Sequence, residues 1–373
     1  MMINSTVTIG ITGNIATGKS VIRRMLSNSG VFGIDADAIA NRMLYPGGYA
    51  YQSVLEAFGS EIITDHKHIS NKKLGQIVFN DPARLIQLES LVHPPVIKSI
   101  EQRVKAAKPP IVAIEAIKLL ESGLGDRCDH IWVSHVSYEQ QKQRLQTIRG
   151  LTEKDADSRI KAQTPQIGKL SQADVIINTE ATFKDTWRRT QRALNDTIQP
   201  TINGTLLHIN NSEDCTAGSI NLLPVDQLET AWNKLSNEDL STLYEYLGMQ
   251  MIFPVLKNGQ IMAFVIYEDW NFSATLKKVY PSGILESMPD FIFDAFEKSA
   301  KSNQAEILLI SEDLFKIAGK NIQQFGFTPQ HINKITYPAW KIAAEKSAPG
   351  EGSEIYNKVL RQPFEQEDTT FLQ

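Results

Sequence analysis

The stretch GNIATGKSV, Gly13–Val21, decides the fold. It contains the phosphate-binding pattern Gly-x-x-x-x-Gly-Lys-Ser, which ends at Lys19 and Ser20. The apolar run VTIGIT precedes it and the helical-looking IRRML follows it. A glycine loop between a strand and a helix directs its backbone N–H groups and the helix N-terminus at the same phosphates. The stretch therefore predicts an α/β domain that binds a nucleoside triphosphate.

The loop assigns the phosphate contacts but not the reaction. Lys19 would reach the β and γ phosphates, and Ser20 would hold Mg²⁺. Motor proteins, GTPases, nucleotide kinases and small-metabolite kinases all share this loop. A GTPase would also need an Asn-Lys-x-Asp motif, which this sequence does not contain. The acceptor of the phosphoryl group must therefore be identified from other residues.

Length and composition are those of a globular chain of two domains. The chain has 373 residues, of which 42% are hydrophobic and 21% charged. No apolar run approaches the length of a spanning helix, and the N-terminus has no signal-peptide pattern, so we expect a cytoplasmic protein with no membrane partner. Cys128 and Cys215 are too few for a disulfide framework or a zinc cluster.

Charge divides unevenly between the two halves. Residues 1–200 carry 25 Lys and Arg against 20 Asp and Glu, whereas residues 201–373 carry 13 against 22. The basic half suits a small polyanionic ligand. The acidic half argues against nucleic acid as a partner.

The pattern of strands and helices changes near residue 200. Up to about residue 198, the predicted strands are apolar throughout and are separated by amphipathic helices. This order predicts a parallel sheet with helices on both faces. Further on, MIFPVLKNGQIMAFVIYED predicts a hairpin at Asn258-Gly259 and an α+β domain. We expect a helical break at Pro94-Pro95 and a strand at YPAWKI. The predicted parts are a P-loop domain over 1–200, a linker over 201–222, a second domain over 223–346 and a flexible tail over 347–373.

Two carboxylates follow the second predicted strand. In IDAD, Asp35 and Asp37 are two residues apart, so on a strand their side chains would leave the same face. Carboxyl ends of neighbouring parallel strands line one crevice, which would place the pair beside the glycine loop. One carboxylate could accept a proton from the acceptor hydroxyl and the other could orient substrate. The alternative is that one Asp is only the N-cap of the following helix.

The order of motifs in the first half resembles the dephospho-coenzyme A kinase family. The resemblance covers residues 6–198 and rests on an ordered set of short motifs. These are TG-x-I-x-x-GKS, IDAD, PGG at Pro46, FG at Phe58, VF at Val78, HP at His93, LLESGL at Leu119, RGLTEKDADSRIKAQ at Arg149 and ADVIIN at Ala173.

The resemblance implies phosphoryl transfer from ATP to the 3′-hydroxyl of dephospho-coenzyme A, with Mg²⁺ as cofactor. It implies that Asp37 is the base, that Asp35 and His93 bind substrate, and that Lys19 is catalytic. A His before Pro is equally typical of a helix N-terminus. The ATP-binding residues implied are Gly13, Asn14, Ile15, Ala16, Thr17, Gly18, Lys19, Ser20, Val21 and Asn178.

The resemblance also implies a helical lid, which contributes Arg149, whose guanidinium could neutralise charge on the transferred phosphoryl group. Arg159 and Gln163 are four residues apart, and on one helix they would share a face toward substrate. Solvated surface arginines are the alternative for both Arg149 and Arg159. The family often has Arg one residue earlier, where this chain has Ile148.

The segment EAIKLLE departs from the family's usual Asp followed by Pro-Leu-Leu and Glu. Glu115 replaces the Asp, Ile117 the Pro and Lys118 a Leu, while Glu121 is kept. Lys118 could bind a phosphate of either substrate or face solvent. The resemblance implies that Lys118 and Glu121 lie on the substrate side.

The second half resembles GNAT-type N-acetyltransferases over about residues 225–345. The stretch that carries the resemblance is EILLISEDLFKIAGKNIQQFGF. That family cradles a pyrophosphate with Arg/Gln-x-x-Gly-x-Gly/Ala, whereas the corresponding region here offers only Gly283. Its acid tyrosine is Ile322 here. We therefore expect a GNAT-like fold without acetyl transfer, serving as a structural or oligomerising module.

Two alternatives to a dephospho-coenzyme A kinase stay open at this point. One is another P-loop kinase that phosphorylates a nucleotide or a small molecule. The other is a regulatory module in which ATP binding positions the second half for a partner.

Overall fold

The first half of the chain contains a five-stranded sheet with its helices. The structure is a computed structural model and describes residues 6–64, 67–78, 81–107, 111–198, 216–217, 225–257, 259–348 and 353–363. The strands are β1 (Val7–Thr12), β2 (Phe32–Asp35), β3 (Ile111–Glu115), β4 (His130–His135) and β5 (Val175–Asn178). The helices are α1 (Lys19–Asn28), α2 (Ala36–Met43), α3 (Tyr51–Phe58), α4 (Asn71–Val78), α5 (Pro82–Ala106), α6 (Tyr138–Arg149), α7 (Glu153–Lys161), α8 (Ile167–Leu170) and α9 (Phe183–Ile198). Short 3₁₀ helices lie at Ser60–Ile62 and Gly125–Arg127.

The strand order of this sheet is β2-β3-β1-β4-β5. Strand β1 pairs in parallel with β3 and β4, and β4 pairs in parallel with β5. The parallel sheet predicted from the sequence is therefore confirmed. Since parallel strands end at one edge, the glycine loop after β1 and the last residue of β3, Glu115, lie at the same edge.

The second half forms a mixed sheet with helices, as an α+β domain requires. Its strands are β6 (Thr216–Ala217), β7 (Met251–Lys257), β8 (Gln260–Trp270), β9 (Ser273–Tyr280), β10 (Ile307–Ser311), β11 (Thr328–His331) and β12 (Glu354–Val359). Its helices are α10 (Val225–Leu235), α11 (Leu240–Met249), α12 (Ile284–Ser287), α13 (Pro289–Ser302), α14 (Glu312–Ala318) and α15 (Pro338–Ser347), with 3₁₀ helices at Lys320–Phe325 and Ile332–Lys334. The strand order is β11-β12-β10-β9-β8-β7-β6. Strands β9 and β10 are parallel, whereas β7 and β8 form the predicted antiparallel hairpin. Asn258 of its turn lies outside the described residues.

Contacts divide the chain into two compact units that do not follow the domain boundaries predicted from the sequence. The first unit takes residues 1–34, 109–267 and 278–299, and the second takes residues 35–108, 268–277 and 300–373. Each unit therefore combines segments from both halves of the chain. Most of the predicted linker, residues 201–215 and 218–222, lies outside the described residues.

The first unit contains one core cluster within the parallel sheet and its helices, and a second cluster that joins the first half of the chain to the second half. Ile9, Ile11 and Trp132 of the sheet are fully buried against helix α1. The next cluster contains Met25 of α1 and Trp187 of α9. Its other members come from the second half and include Trp232, Leu243, Leu247, Ile252 and Phe264.

In the second unit, the described core lies between β10, β12 and α15. Ile307, Leu309, Ile355 and Ala344 are buried there, together with Trp340. No helix among the described residues combines the length and apolar character that crossing a membrane would need.

The expected break at Pro94-Pro95 is wrong, because α5 runs through both prolines. The prolines remove hydrogen-bond donors from the middle of the helix. Val92, Val96 and Ile100 nevertheless form one buried face across them. Burial of that face outweighs the local cost, since most helix stability in proteins comes from packing.

Two further expectations are wrong in the second half. YPAWKI is the start of α15 instead of a strand, with Pro338 in its first turn, where the missing N–H costs nothing. The predicted flexible tail contains β12, which pairs with both β10 and β11. Ile355 and Asn357 alternate with more exposed neighbours in β12, and this period of two identifies a half-buried strand.

Candidate functional site

The glycine loop between β1 and α1 is held in a backbone shape that requires glycine. Gly13 has φ of 145°, and a Cβ there would lie 2.4 Å from the Ser134 hydroxyl oxygen and 2.7 Å from the Ser134 carbonyl oxygen. Gly18 has φ of 94° and is the N-cap of α1. The Lys19 ammonium is buried and donates to the carbonyl oxygen of Asn14 at 3.0 Å. The loop thus folds around the lysine and leaves the N-terminus of α1 uncapped by any side chain.

Ser20 and Glu115 form a polar pair beneath the loop. The Ser20 hydroxyl donates to Oε1 of Glu115 at 2.5 Å, and Nε of Arg23 donates to Oε2 at 2.9 Å. Glu115 is only 4% exposed and Arg23 is equally buried. The glutamate at the end of β3 therefore reaches the hydroxyl that the loop motif assigns to Mg²⁺. Its side chain is one methylene longer than the aspartate expected at this position.

The segment after α7 accepts hydrogen bonds from two backbone N–H groups of the glycine loop. Oε1 of Gln163 accepts from the Ile15 N–H at 2.7 Å, and Oε1 of Gln166 accepts from the Asn14 N–H at 3.3 Å. Leu145 of α6 and Ile160 of α7 form a small buried cluster with Ile15. Helices α6 and α7 are thus a lid packed directly on the loop, as the sequence predicted.

Arg144 of α6 is a loop contact that the sequence reasoning missed. Its Nη1 donates to the carbonyl oxygen of Ala16 at 3.1 Å and to the Thr179 hydroxyl at 3.0 Å, and Nη2 donates to the Thr179 carbonyl oxygen. Burial lowers the pKa of Arg144, and the charge of Glu180 opposes this. Gln141 also donates from α6, to the Ile15 carbonyl oxygen at 2.9 Å.

A signal for this face was present in the sequence. Gln141, Arg144 and Leu145 stand at positions i, i+3 and i+4 of a helix in which Leu145 is one of few apolar residues. A polar helix with one such stripe buries that stripe, so the arginine next to Leu145 was the better candidate.

The predicted ATP and lid residues Asn178, Arg149 and Arg159 lie on β5, α6 and α7. The Asn178 side chain accepts from the Glu180 N–H at 2.8 Å, and it is Thr179 that contacts the loop, donating to the Thr17 carbonyl oxygen at 2.8 Å. Arg149 ends α6 and Arg159 lies on α7, and both are exposed. Gln163 comes after α7 has ended at Lys161, so it shares no helix face with Arg159.

The expectation that Asp35 and Asp37 lie two apart on one strand is wrong. Strand β2 ends at Asp35, whose side chain accepts from the Ala38 N–H at 2.8 Å and caps α2. Asp37 lies in the first turn of α2 and is exposed. An Asp that can cap a helix ends the strand, because it satisfies a backbone donor that the helix leaves open. The capping alternative therefore holds for Asp35.

The remaining predicted substrate residues lie on separate elements. His93 is in the middle of α5, so it is not a helix cap. Lys118 is exposed in the turn after β3. Glu121 lies 3.3 Å from Nζ of the buried Lys169 and accepts from the Thr164 hydroxyl at 3.3 Å.

Comparison with known proteins decides the family. The family model described as dephospho-CoA kinase matches residues 7–185. The dephospho-CoA kinase of Carboxydothermus hydrogenoformans is 38% identical over 181 residues, which are 48% of this chain and 88% of that protein. The chain belongs to the dephospho-CoA kinase family. The dephospho-CoA kinase of Geobacter sulfurreducens is 35% identical over 184 residues, covering 93% of that protein.

Two solved structures are similar to parts of this chain. The dephospho-CoA kinase from Campylobacter jejuni has a TM-score of 0.39 and 24% identity, covering 52% of this chain and 98% of that one. The ribosomal-protein-S18-alanine N-acetyltransferase from Escherichia coli has a TM-score of 0.25 and 13% identity, covering 42% of this chain and 98% of that one. The kinase assignment rests on the sequence relatives, which match the first half.

Proposed function

We propose that this protein transfers the γ-phosphoryl group of ATP to the 3′-hydroxyl of dephospho-CoA, giving coenzyme A and ADP. The observation that supports this site best is the contact between Ser20 and Glu115 beside the glycine loop. A loop serine with an acid at the end of a neighbouring strand is the arrangement by which P-loop enzymes hold their metal.

Mg²⁺ fits the residues at this edge of the sheet. The Ser20 hydroxyl and the Glu115 carboxylate are oxygen donors, and Mg²⁺ prefers oxygen ligands together with substrate phosphates. When bound with ATP, the ion neutralises charge on the β and γ phosphates. Arg23 holds the second carboxylate oxygen and so fixes the direction in which Oε1 points.

The loop itself binds and orients the triphosphate. The N–H groups at the start of α1 supply donors for the β phosphate, and Lys19 exchanges its bond to the Asn14 carbonyl oxygen for phosphate oxygens. Arg144 keeps the loop in this shape through its bonds to Ala16 and Thr179. Arg149 contacts the transferred group from the lid.

The acceptor side uses residues that follow β2. Asp37 accepts the proton of the 3′-hydroxyl as its oxygen bonds to the γ phosphorus and ADP leaves. Asp35 caps the N-terminus of α2 and so fixes the residue at which that helix begins. His93, Lys118, Glu121, Arg159 and Gln163 bind the nucleotide part of dephospho-CoA in this proposal, and Asn178 lies on the ATP side. The protein acts in the cytoplasm without nucleic acid or membrane partners, and its second half performs no acetyl transfer.

A coupled ADP assay with and without dephospho-CoA tests the acceptor. We expect ADP release to depend on dephospho-CoA and Asp37→Asn to lose turnover while it still binds ATP. ADP release that needs another alcohol or nucleotide instead would overturn the proposal. Full activity in Asp37→Asn would reject the base but not the reaction.

A further inference from the structure

The second unit contains a buried ion pair between residues 264 positions apart in the chain. Nη1 of Arg42 donates to Oε2 of Glu306 at 2.7 Å, and Nη2 contacts Oε1, so the pair is bidentate. The two side chains are 5% and 1% exposed. Arg42 belongs to α2, the helix of Asp37, whereas Glu306 precedes β10 of the second sheet.

The surroundings of Glu306 fix its carboxylate from several sides. The Trp340 indole N–H donates to Oε2 at 3.4 Å, and Nη2 of Arg361 lies 3.5 Å from Oε1. The Arg42 guanidinium lies 4.7 Å from the Phe272 ring centroid and 5.8 Å from that of Tyr337. All these partners come from the second half of the chain, and their planar groups leave the arginine one orientation.

A second contact ties the neighbouring helix α5 to the same region. Arg103, in its last turn, donates to Oε1 of Gln304 and lies 5.0 Å from the Phe272 ring centroid. Helix α5 carries His93. Two helices that hold proposed substrate-side residues are thus anchored on Phe272 and on the segment Gln304–Glu306.

The position of Arg42 on α2 gives this anchor a consequence. Ile39, Arg42 and Met43 form the buried face of α2, and Asp37 lies five residues before Arg42 on the exposed side. A rotation or slide of the buried face moves the exposed carboxylate by the same angle or distance. A displacement of about 1 Å can lower a reaction rate by about a hundredfold.

We infer that Arg42 and Glu306 are positioning residues for phosphoryl transfer, which makes the second half of the chain part of the kinase site. The inference rests on the proposed role of Asp37 and goes beyond it. An apolar pair of similar volume would pack as well, since a buried ion pair is seldom a net source of stability. What the bidentate pair adds is one defined orientation of α2.

The test uses the full-length chain with Glu306→Gln and Arg42→Lys, and it corrects activity for the folded fraction. Glu306→Gln keeps the shape but removes the charge, and Arg42→Lys keeps the charge but loses the planar fork. We expect kcat for dephospho-CoA to fall by about tenfold or more while the KM for ATP stays within about twofold, since the loss acts on orientation. Glu354→Gln, at the start of β12 with a side chain that is 41% exposed, is the matched control.

A double-mutant cycle with Asp37→Asn separates positioning from general structural damage. If Glu306 acts through Asp37, Glu306→Gln lowers kcat little further in the Asp37→Asn background. Additive losses, or a kcat within about twofold of the parent in folded Glu306→Gln and Arg42→Lys, overturn the inference. If Glu306→Gln does not fold, Arg42→Lys decides alone. Should Asp37→Asn be fully active, the proposed base is wrong, while the kcat of the Arg42 and Glu306 variants still tests positioning.

Discussion

The Ser20 hydroxyl lies 2.5 Å from Oε1 of Glu115, and this contact joins the glycine loop to the end of β3. Arg23 binds the other carboxylate oxygen from the same helix as Ser20. One glutamate therefore serves both the proposed metal position and the first turns of α1.

Glu115→Gln should weaken the response to Mg²⁺. The amide can still accept from Ser20, but it brings no charge to the metal and removes one negatively charged partner of the buried Arg23. We expect the Mg²⁺ concentration for half-maximal rate to rise by about tenfold, which corresponds to about 1.4 kcal/mol. A Mg²⁺ titration of the ADP assay measures this. The exposed Glu139→Gln is the control, and an unchanged Mg²⁺ requirement in Glu115→Gln would refute the metal role.

Gly13→Ala should abolish tight ATP binding. The added Cβ would meet both the hydroxyl and the carbonyl oxygen of Ser134, and the backbone oxygen belongs to a central strand that cannot move aside. We expect the loop to shift and the ATP dissociation constant to rise by at least about tenfold, or about 1.4 kcal/mol. Isothermal titration checks the dissociation constant.

Gly319→Ala separates this steric effect from backbone strain. Gly319 also has positive φ, at 79°, but a Cβ there meets nothing within 4 Å. Its strain should cost about 1–3 kcal/mol of stability and leave ATP affinity intact. Equal loss of affinity in both variants would argue against a specific need for glycine at Gly13.

The sequence predicts the parallel sheet and its loop well because both are local. A six-residue apolar strand, a glycine motif and a following helix are contiguous, so no distant contact has to be known. The sequence does not fix the residue at which β2 ends, since IDAD is equally compatible with a strand and with a strand followed by a helix cap. Placing the helix start one residue after Asp35 sends Asp37 to another element and removes the shared face.

The contacts between the two halves could not be predicted in the same way. Arg42 in AIANRM resembles a solvated helix residue, and Glu306 opens a strand of apolar residues. Only the fold brings them together across 264 positions. Strand β12 could not be predicted either, because the residues on both sides of it are polar. It forms a strand because it pairs with β10 and β11.

Asn28→Asp should destabilise the first unit more than Asn28→Ala. The Asn28 amide nitrogen donates to the carbonyl oxygens of Leu247 and Gln250 at 2.9 and 3.1 Å, and its Oδ1 accepts from the Ile252 N–H at 3.0 Å. Alanine removes all three hydrogen bonds, at about 1–3 kcal/mol for each backbone group that is left without a partner, before relaxation. Aspartate adds repulsion between a carboxylate and two carbonyl oxygens.

Thermal unfolding of the two Asn28 variants measures the effect. Asn233→Asp, on the exposed face of α10, makes the same chemical change without such partners and should leave the melting temperature nearly unchanged. An Asn28→Asp protein as stable as the parent would show that α1 does not depend on the segment around Ile252.

Cys128 should be unreactive in the native protein and should make stability fall at alkaline pH. Burial, with a smaller contribution from the Asp129 charge, raises the pKa of Cys128 to about 12. The folded state therefore holds the thiol proton more tightly than the unfolded chain, whose cysteine pKa is about 8.5. The resulting stability is complete below about pH 8.5 and declines as the pH rises toward 12.

We expect no labelling of Cys128 at neutral pH in a Cys215→Ser background, and full labelling in urea. Cys128→Ser should show a shallower loss of unfolding free energy between about pH 8 and 10 than the parent, and rapid native labelling would contradict the burial.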